Sequence, residues 1–281
     1  MQIIRSIKKM QTVARRLAAE GKTIGVVPTM GFLHEGHLSL IRRARKKADV
    51  VVTTIFVNPT QFAPGEDLAK YPRDEKGDVA KIKSAGGDMV FIPGAEDVYP
   101  DDFETYVTVE RLTQTLEGQT RPTHFRGVTT IVAKLFNIIR PDLAVFGQKD
   151  YQQAVVIQRM VADLGYPVKI IVAPTVREKD GLAMSSRNKY FDDIQRWEAV
   201  CLYYALRTAR DMVRSGVVDV RKITREMEAV ILATCPSAEI DYIAFTDFDS
   251  LKPVKKIGKR TVCSLAVKVH GVRLIDNMKL N

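Results

Sequence analysis

Cysteine, histidine, tryptophan and long hydrophobic runs are all scarce in this 281-residue chain. Its three cysteines, Cys201, Cys235 and Cys263, are widely spaced, which argues against a disulfide framework and against a Cys-x-x-Cys metal site. We expect buried thiols. The longest uncharged apolar runs, such as residues 50–57, are far too short to cross a bilayer. Because the N-terminus also lacks the apolar core and cleavage site of a signal peptide, we predict a cytoplasmic protein with no membrane partner.

Excess positive charge is the clearest compositional bias. The formal net charge is +10, whereas 46% hydrophobic and 27% charged residues are ordinary for a folded protein. The densest basic group, residues 252–260, contains no aromatic residue on which a base could stack. We therefore predict a solvated face that favours anionic small molecules, and no nucleic-acid partner. A nucleic-acid-binding protein is the alternative from another class, and filter binding would separate the two because phosphate-backbone binding weakens steeply with salt.

Apolar runs alternate with helical patterns in the first two thirds of the chain, which is typical of an α/β fold with a parallel sheet. The predicted strands are residues 24–27, 50–57, 88–92, 143–146 and 168–173, and the predicted helices are residues 6–19, 38–48, 76–84, 127–139 and 151–164. The pattern then changes to helices at 192–214 and 219–233, followed by strands at 240–245, 261–269 and 272–275. We predict two domains, residues 1–176 with the parallel sheet and residues 177–281 as a small α+β domain.

The loop between the first predicted strand and its helix contains two of the four histidines, His34 and His37. At a spacing of three residues both imidazoles point the same way. A helix N-terminus has unpaired N–H groups and a partial positive charge, so two imidazole donors there indicate an anion site, best suited to phosphate. Gly31 and Gly36 would let the backbone approach such a ligand.

Two other interpretations of this histidine pair stay open at this point. The imidazoles could simply cap the helix or hydrogen-bond the turn, which is the more common role of histidines in a surface loop. A zinc site is weaker, because a metalloprotease helix needs His at i and i+4 with a third ligand, and no cysteine lies nearby in the sequence.

Two later segments also offer phosphate donors. Residues 147–150, Gly-Gln-Lys-Asp, form a second glycine-containing turn after a predicted strand, and residues 184–188, Met-Ser-Ser-Arg-Asn, supply two hydroxyls and a guanidinium. Alone, either segment would be weak evidence. Their combination with the histidine loop indicates nucleotide chemistry.

Motifs along nearly the whole chain, in order and spacing, resemble those of the pantothenate synthetase family, also called pantoate-β-alanine ligases. The matching segments are Val27-Pro-Thr-Met-Gly31, His34-Glu-Gly-His37, Phe56-Val-Asn-Pro-Thr-Gln61-Phe, Tyr71-Pro-Arg73, His124-Phe-Arg-Gly-Val128, Phe146-Gly-Gln-Lys-Asp-Tyr-Gln-Gln153, Asp180-Gly-Leu-Ala-Met-Ser-Ser-Arg-Asn188 and Leu274-Ile-Asp-Asn277.

The resemblance implies the Rossmann-like nucleotidyltransferase fold of class I aminoacyl-tRNA synthetases, with His34 to His37 as the HIGH-like motif. It implies ATP-dependent joining of (R)-pantoate to β-alanine through pantoyl adenylate, releasing AMP and pyrophosphate, with Mg²⁺. It also implies a homodimer joined through the N-terminal domains, and a C-terminal lid.

The resemblance further implies roles for individual residues. The catalytic donors would be His34, His37, Lys149, Ser185, Ser186 and Arg187, with His37 as the usual proton donor. ATP would contact Met30, Gly31, Phe32, Leu33, His34, Glu35, Gly36, His37, Gly147, Gln148, Lys149, Asp150, Val176, Met184, Ser185, Ser186 and Arg187. Pantoate and β-alanine would contact Gln61 and Gln153, because an amide both donates and accepts, as a hydroxy acid requires.

Some assignments stay open in the sequence. The Mg²⁺ ligands are unknown, with Asp78 as a candidate and the ATP phosphates and water as the alternative. His124 and Arg126 recur in the motif without an evident chemical role. Another adenylyl-transferring enzyme of the same fold, acting on a different acid, is the nearest alternative, since fold alone does not determine function.

Overall fold

The first two thirds of the chain alternate strands and helices, because short β-branched runs are separated by amphipathic segments. A computed structural model describes residues 1–280. Its elements up to residue 173 are β1 (Gln2–Ile4), α1 (Ile7–Ala19), β2 (Ile24–Val27), α2 (Glu35–Arg45), β3 (Val50–Thr54), α3 (Glu75–Ser84), β4 (Met89–Phe91), α4 (Ala95–Val98), α5 (Glu117–Thr120), α6 (His124–Ile139), β5 (Leu143–Gly147), α7 (Tyr151–Asp163) and β6 (Lys169–Ala173).

These strands form a six-stranded sheet in the order β1-β4-β3-β2-β5-β6, and every pair is parallel. Side chains of α1, α6 and α7 pack on one face, and side chains of α2 and α3 pack on the other. The sheet is therefore covered by helices on both faces, which explains why its strands are almost entirely apolar. The predicted α/β fold with a parallel sheet is confirmed.

The rest of the chain contains α8 (Asp193–Glu198), α9 (Cys201–Arg214), α10 (Val220–Thr234), β7 (Glu239–Asp247), β8 (Thr261–Val269) and β9 (Val272–Lys279). The three strands form an antiparallel sheet in the order β7-β8-β9. Its core combines α9 and α10 residues such as Leu206 and Met227 with sheet residues such as Leu265. This is the α+β arrangement that the order of the predicted elements indicated.

The prediction of one helix over residues 192–214 is wrong. Asp192 caps α8 with a capping box, but that helix ends at Glu198. The N–H of Val200 then donates to the carbonyl of Trp197, three residues back, so the chain tightens before α9 begins. Apolar periodicity continues through the break because the buried residues Ala199 and Val200 still face the core, and the pattern could not reveal the interruption.

The described residues divide into two compact units. Unit 1 comprises residues 1–147 and 152–174, and unit 2 comprises residues 148–151 and 175–280. Unit 2 therefore includes the four-residue segment that follows β5. No helix within residues 1–280 is both long and apolar enough to span a bilayer.

Candidate functional site

The turn after β2 is held in shape by a buried carboxylate. Gly31 and Phe32 have positive φ angles of 86° and 51°, and the N–H groups of Phe32 and Leu33 donate to the two carboxylate oxygens of Asp78, both at 2.7 Å. Lys81 adds a hydrogen bond from Nζ to the carbonyl of Leu33 at 2.9 Å. A Cβ atom on residue 31 would lie 3.1 Å from the Asp78 carboxylate. The tight turn therefore requires glycine at that position.

This arrangement makes Asp78 an anchor of the turn, and it argues against this residue as an Mg²⁺ ligand. The residue is 1% exposed, and both of its oxygens accept backbone N–H groups. Burial raises the pKa of its carboxyl group, while the two N–H donors oppose that shift. Mg²⁺ prefers oxygen ligands that remain open to it and to its water molecules. A buried carboxylate whose two oxygens already accept hydrogen bonds does not meet that requirement.

His34 and His37 cap α2 by accepting backbone N–H groups at the start of the helix. His34 is the N-cap residue, and its Nδ1 accepts the N–H of Gly36 at 3.2 Å. The Nδ1 of His37 accepts the N–H of His34 at 3.3 Å, which completes a capping box. The ring centroids lie 4.1 Å apart. The two imidazoles therefore share one side of the helix start, as their spacing predicted.

The cap also determines the tautomer of both rings. Because each Nδ1 accepts a hydrogen bond, a neutral imidazole carries its proton on Nε2. The two Nε2–H groups then lie at the positive end of a helix, where an anion is favoured. The capping interpretation and the anion-site interpretation are thus compatible, since different ring nitrogens serve the two roles. The neighbouring Glu35 carboxylate forms an ion pair with Arg42 of the same helix.

Gln61 lies in the 3₁₀ turn (Pro59–Gln61) that follows β3, the strand paired with β2. Its Oε1 accepts the side-chain amide of Asn58 at 3.1 Å, and its Nε2 contacts the sulfur of Met30 at 3.1 Å. Met30 belongs to the turn before the histidine pair. Both predicted loops therefore meet at the carboxyl ends of adjacent strands, where ligands of open α/β sheets bind.

Asn58 orients Gln61, a role that the sequence motifs do not assign. Asn58 is 1% exposed, and its amide also donates to the carbonyl of Gly127 at 3.1 Å. Its Oδ1 accepts the hydroxyls of Thr60 at 3.0 Å and Tyr99 at 2.9 Å. The only available signal was a polar residue directly after a buried strand and before a proline.

His124 positions the backbone of Gln61 through a hydrogen bond to its carbonyl. Its Nδ1 lies 2.9 Å from the Gln61 carbonyl, and burial, aided by the nearby Arg121 charge, lowers its pKa to about 4. The ring is therefore neutral at pH 7 and donates from Nδ1. Arg121 donates to the same carbonyl at 3.3 Å and forms a two-point ion pair with Glu66 at 2.6 and 2.7 Å. The role of His124, which the sequence left unassigned, is therefore to position the backbone of Gln61.

The two residues after Phe125 have packing roles. The Arg126 guanidinium lies 3.8 Å from the ring centroid of Tyr106, a cation–π contact. A Cβ atom on Gly127 would lie 2.4 Å from the carbonyl oxygen of Thr60. Helix α6 can therefore approach the Gln61 turn this closely only with glycine at position 127.

The adjacent glutamines Gln152 and Gln153 at the start of α7 have different environments. Gln152 is 5% exposed, accepts the N–H of Glu117 at 3.0 Å, and donates to the carbonyls of Leu112 and Thr115 at 2.8 and 2.7 Å. Gln153 is half-buried, and its amide makes no hydrogen bond within residues 1–280. Gln152 therefore supports the structure, whereas the amide of Gln153 is available to a ligand.

In unit 2, Asn277 of β9 holds the backbone of residues 148 and 149 in place. Its side-chain amide donates to the carbonyls of Gln148 and Lys149, both at 2.8 Å. The Lys149 ammonium lies 3.5 Å from the Asp150 carboxylate. The adjacent Asp276 is 2% exposed at its side chain and forms a two-point ion pair with Arg177 at 2.6 and 2.9 Å.

The serine segment forms a short 3₁₀ turn (Ser186–Tyr190), which Ser185 caps by accepting the N–H of Arg187 at 3.3 Å. The side-chain amide of Asn188 donates to the carboxylate of Glu178 at 2.9 Å. The N–H of Met184 donates to the carbonyl of Val176 at 3.0 Å. Lys149 and Ser185 line the same small cleft of unit 2. The structure thus brings the lysine turn and the serine turn together within this unit.

The predicted site residues fall into two sets, each within one unit. Unit 1 contains Met30, Gly31, Phe32, Leu33, His34, Glu35, Gly36, His37, Gln61, Gly147 and Gln153, and unit 2 contains Gln148, Lys149, Asp150, Val176, Met184, Ser185, Ser186 and Arg187. Their roles toward ATP and pantoate stay predictions.

Comparison with known proteins extends over the whole length of the chain. A sequence profile described as pantoate-β-alanine ligase matches residues 2–279. The pantothenate synthetase of Moorella thermoacetica is 52% identical over 280 residues, covering 100% of this chain and 99% of that protein.

Solved structures agree with the sequence comparison. The crystal structure of pantothenate synthetase from Thermus thermophilus superposes with a TM-score of 0.94 at 43% identity, covering 100% of this chain and 99% of that one. Pantoate-β-alanine ligase from Francisella tularensis, crystallised with β,γ-ATP and β-alanine, superposes with a TM-score of 0.83 at 34% identity, covering 100% and 98%. On this evidence the chain belongs to the pantoate-β-alanine ligase family.

Proposed function

We infer that the chain catalyses the ATP-dependent condensation of (R)-pantoate with β-alanine, through pantoyl adenylate, to give pantothenate, AMP and pyrophosphate. The geometric observation that supports this is the His34–His37 pair. Both Nδ1 atoms accept backbone N–H groups of the helix cap, which holds the two imidazoles at the N-terminus of α2, where a phosphate would bind. The match to the family over residues 2–279 names the acid and the amine.

The chemistry requires no protein nucleophile. A carboxylate is a poor electrophile toward an amine, so a pantoate carboxylate oxygen attacks the α-phosphorus of ATP and pyrophosphate leaves. The amine of β-alanine then attacks the acyl carbon of the mixed anhydride, AMP leaves and the nitrogen loses a proton. Catalysis depends on alignment of the reactants and on donors that meet the charge developing on phosphate.

We assign the donors as follows. His34 and His37 donate to the phosphates during adenylation, and Lys149, Ser185, Ser186 and Arg187 supply further positive charge and hydroxyl donors. Gly147 and Asp150 face the ribose, Val176 faces the adenine, and the turn of residues 30–37 faces the phosphates. These assignments rest on the motif resemblance, on the fixed tautomer of the two histidines, and on the cleft that Lys149 shares with Ser185.

Pantoate binds through Gln61 and Gln153. The Gln61 side chain is oriented by Asn58 and Met30, which leaves one of its amide hydrogens and one carbonyl lone pair for a hydroxy acid. Gln153 lies in the first turn of α7 with its amide available.

Mg²⁺ enters as part of the nucleotide substrate in this proposal. Within residues 1–280 the one group of three potential ligands, Glu198, Cys235 and His270, contains sulfur and nitrogen, which Mg²⁺ does not prefer. Oxygen atoms of the triphosphate and water would therefore hold the ion, and its charge would offset that of the phosphates.

Four further features complete the proposal. The segment His34 to His37 serves as the HIGH-like motif of a nucleotidyltransferase fold. The chain forms a homodimer through its N-terminal domain, residues 1–176, and residues 177–281 act as a lid. We propose a cytoplasmic location because the reaction consumes ATP.

The decisive experiment supplies ATP and pantoate without β-alanine. We expect one equivalent of pyrophosphate and a free pantoyl adenylate that can be extracted by acid quench and identified by mass spectrometry. Addition of β-alanine should convert the trapped adenylate to pantothenate. Covalent labelling of the protein by radioactive pantoate, with no free adenylate, would contradict the mechanism. A panel of other hydroxy acids tests the assignment of pantoate.

A further inference from the structure

Three potential metal ligands converge in unit 2, in residues that the reaction above does not use. They are the carboxylate of Glu198, the thiol of Cys235 and the imidazole of His270. One ligand atom from each lies within 4.8 Å of the other two. We propose that these residues form a binding site for a borderline-soft divalent cation, with Zn²⁺ as the best match.

Each ligand comes from a different element of the unit. Glu198 is the last residue of α8, and Cys235 is the C-cap residue of α10. His270 lies in the two-residue turn between β8 and β9, where it has a φ of 47° and Gly271 has a φ of 77°. Two successive positive φ values are those of a type I′ hairpin turn, which is rare for a residue with a side chain other than Asn, Asp or His. The turn brings the His270 ring back to the ends of two helices.

The contacts place the other two ligand atoms around one carboxylate oxygen of Glu198. The Nε2 atom of His270 contacts Oε2 of Glu198, and the Sγ atom of Cys235 lies 3.5 Å from the same oxygen. Zn²⁺ bonds of about 2.0–2.3 Å in a tetrahedron separate neighbouring ligand atoms by roughly 3.3–3.8 Å. The observed sulfur–oxygen distance falls within that range, whereas the His270 imidazole and the Glu198 carboxylate are in direct contact and must move apart to admit an ion.

The ligand types select the metal. Imidazole, thiolate and carboxylate together suit Zn²⁺ and its spectroscopic substitute Co²⁺, whereas Mg²⁺ and Ca²⁺ take oxygen ligands. In the absence of an ion, an ion pair joins His270 to Glu198 and an S–H···O hydrogen bond joins the Cys235 thiol to the same carboxylate oxygen, and a bound ion would replace both contacts. The Oγ atom of Ser237 lies 3.6 Å from the sulfur and can support it from outside the ligand set.

Access and burial suit an ion that binds from solution. The cysteine is fully buried, while the side chains of His270 and Glu198 are 30% and 20% exposed. An ion can therefore enter from the histidine side and meet the thiol at the inner end. A bound ion would connect the ends of α8 and α10 to the β8–β9 turn and stabilise unit 2 against unfolding.

The test uses the full chain after chelation and dialysis, with Co²⁺ as the probe and Zn²⁺ as the competitor. We expect one Co²⁺ per chain, a near-ultraviolet thiolate-to-cobalt charge-transfer band, loss of the band on addition of Zn²⁺, and a higher melting temperature with Zn²⁺. Cys235→Ser should abolish the band. His270→Gln, a substitution at a partly exposed turn that keeps the fold testable, should weaken Co²⁺ binding by at least the roughly 10–100-fold that loss of a supporting partner costs.

The matched control is Cys263→Ser, since Cys263 is an equally buried thiol in β8 that contacts the sulfur of Met227 and belongs to no group of three potential metal ligands within residues 1–280. This variant should keep the band and the Zn²⁺ stabilisation. Absence of a charge-transfer band in the native chain would overturn the proposal. So would a band that survives in Cys235→Ser, or one lost equally in Cys263→Ser.

Discussion

The side-chain amide of Asn58 donates to Oε1 of Gln61 at 3.1 Å, and Asn58 itself is buried against α6 through the carbonyl of Gly127. An amide can bind a hydroxy acid in two orientations, because its oxygen and nitrogen have similar shapes and opposite hydrogen-bonding roles. The donor on Asn58 selects one of them. Gln61 therefore presents its remaining N–H and lone pair in a defined direction before any substrate arrives.

Asn58→Ala should weaken pantoate binding although Asn58 need not contact pantoate. The substitution frees the Gln61 side chain and leaves the hydroxyl of Tyr99 without its acceptor, which costs roughly 1–3 kcal/mol of stability, whereas the hydroxyl of Thr60 can still donate to Tyr99. Isothermal titration with pantoate and chemical unfolding measure the two effects. Gln152→Ala is the control, because it removes another buried amide at a different place. Unchanged pantoate affinity in Asn58→Ala would show that the orientation of Gln61 does not matter.

Gln61→Ala and Gln153→Ala should each raise the dissociation constant of pantoate more than that of ATP. Loss of one hydrogen-bond partner for a buried substrate group costs roughly 1–3 kcal/mol, which corresponds to about 5- to 150-fold in affinity. Gln152→Ala again serves as the control, since Gln152 bonds only to the protein backbone in its surroundings. Equal losses for pantoate and ATP would indicate that Gln61 and Gln153 only support the fold.

Substitutions of His34 should separate its capping role from its role toward phosphate. His34→Ala removes both, so we expect a loss of about 0.5–2 kcal/mol in stability and of about 10²–10³ in the rate of adenylate formation. His34→Asn restores a good N-cap without an imidazole, so stability should recover while the rate stays low. Single-turnover adenylation and thermal unfolding are the measurements. Recovery of the rate together with stability would leave the histidine a purely structural role.

Asp78→Asn tests the assignment of this residue as an anchor of the turn. An amide has one acceptor oxygen, so one of the N–H groups of Phe32 and Leu33 loses its partner, and stability should fall by roughly 1–3 kcal/mol. ATP affinity should fall as the turn loosens. The Mg²⁺ concentration needed for half-maximal rate should stay the same as in the native chain. A large increase in that concentration would instead make Asp78 a metal ligand.

Acid should destabilise the native chain through His124. Its pKa is about 4 when folded and about 6.5 in an unfolded chain, so between these values the unfolded state binds the proton more readily. The stabilisation is fully present above pH 6.5 and is lost as the pH falls toward 4. In His124→Gln, which keeps a neutral donor for the Gln61 carbonyl, the urea-unfolding free energy should fall less over this range. Parallel profiles for the two proteins would argue against a neutral, buried His124.

Much of the fold could be read from local pattern. The parallel sheet follows from apolar runs that alternate with amphipathic helices, and the bounds of α1 and β8 agree closely with the predicted segments. The short β1 (Gln2–Ile4) was missed because three residues carry too little periodicity. The single helix predicted over residues 192–214 was wrong because apolar spacing does not record which carbonyl each N–H reaches.

The sequence by itself determined which segments become strands and helices, where the histidine, lysine and serine turns lie along the chain, and to which family the protein belongs. Only the tertiary structure decided which distant groups meet. It brought the Asp78 carboxylate to the N–H of Phe32 and the His124 ring to the carbonyl of Gln61. It also placed Cys235 beside Glu198 and His270. The physical reason is that propensity and periodicity are properties of neighbouring residues. A hydrogen-bond or metal partner is chosen by the path of the folded chain and by the need to satisfy polar groups that the path buries.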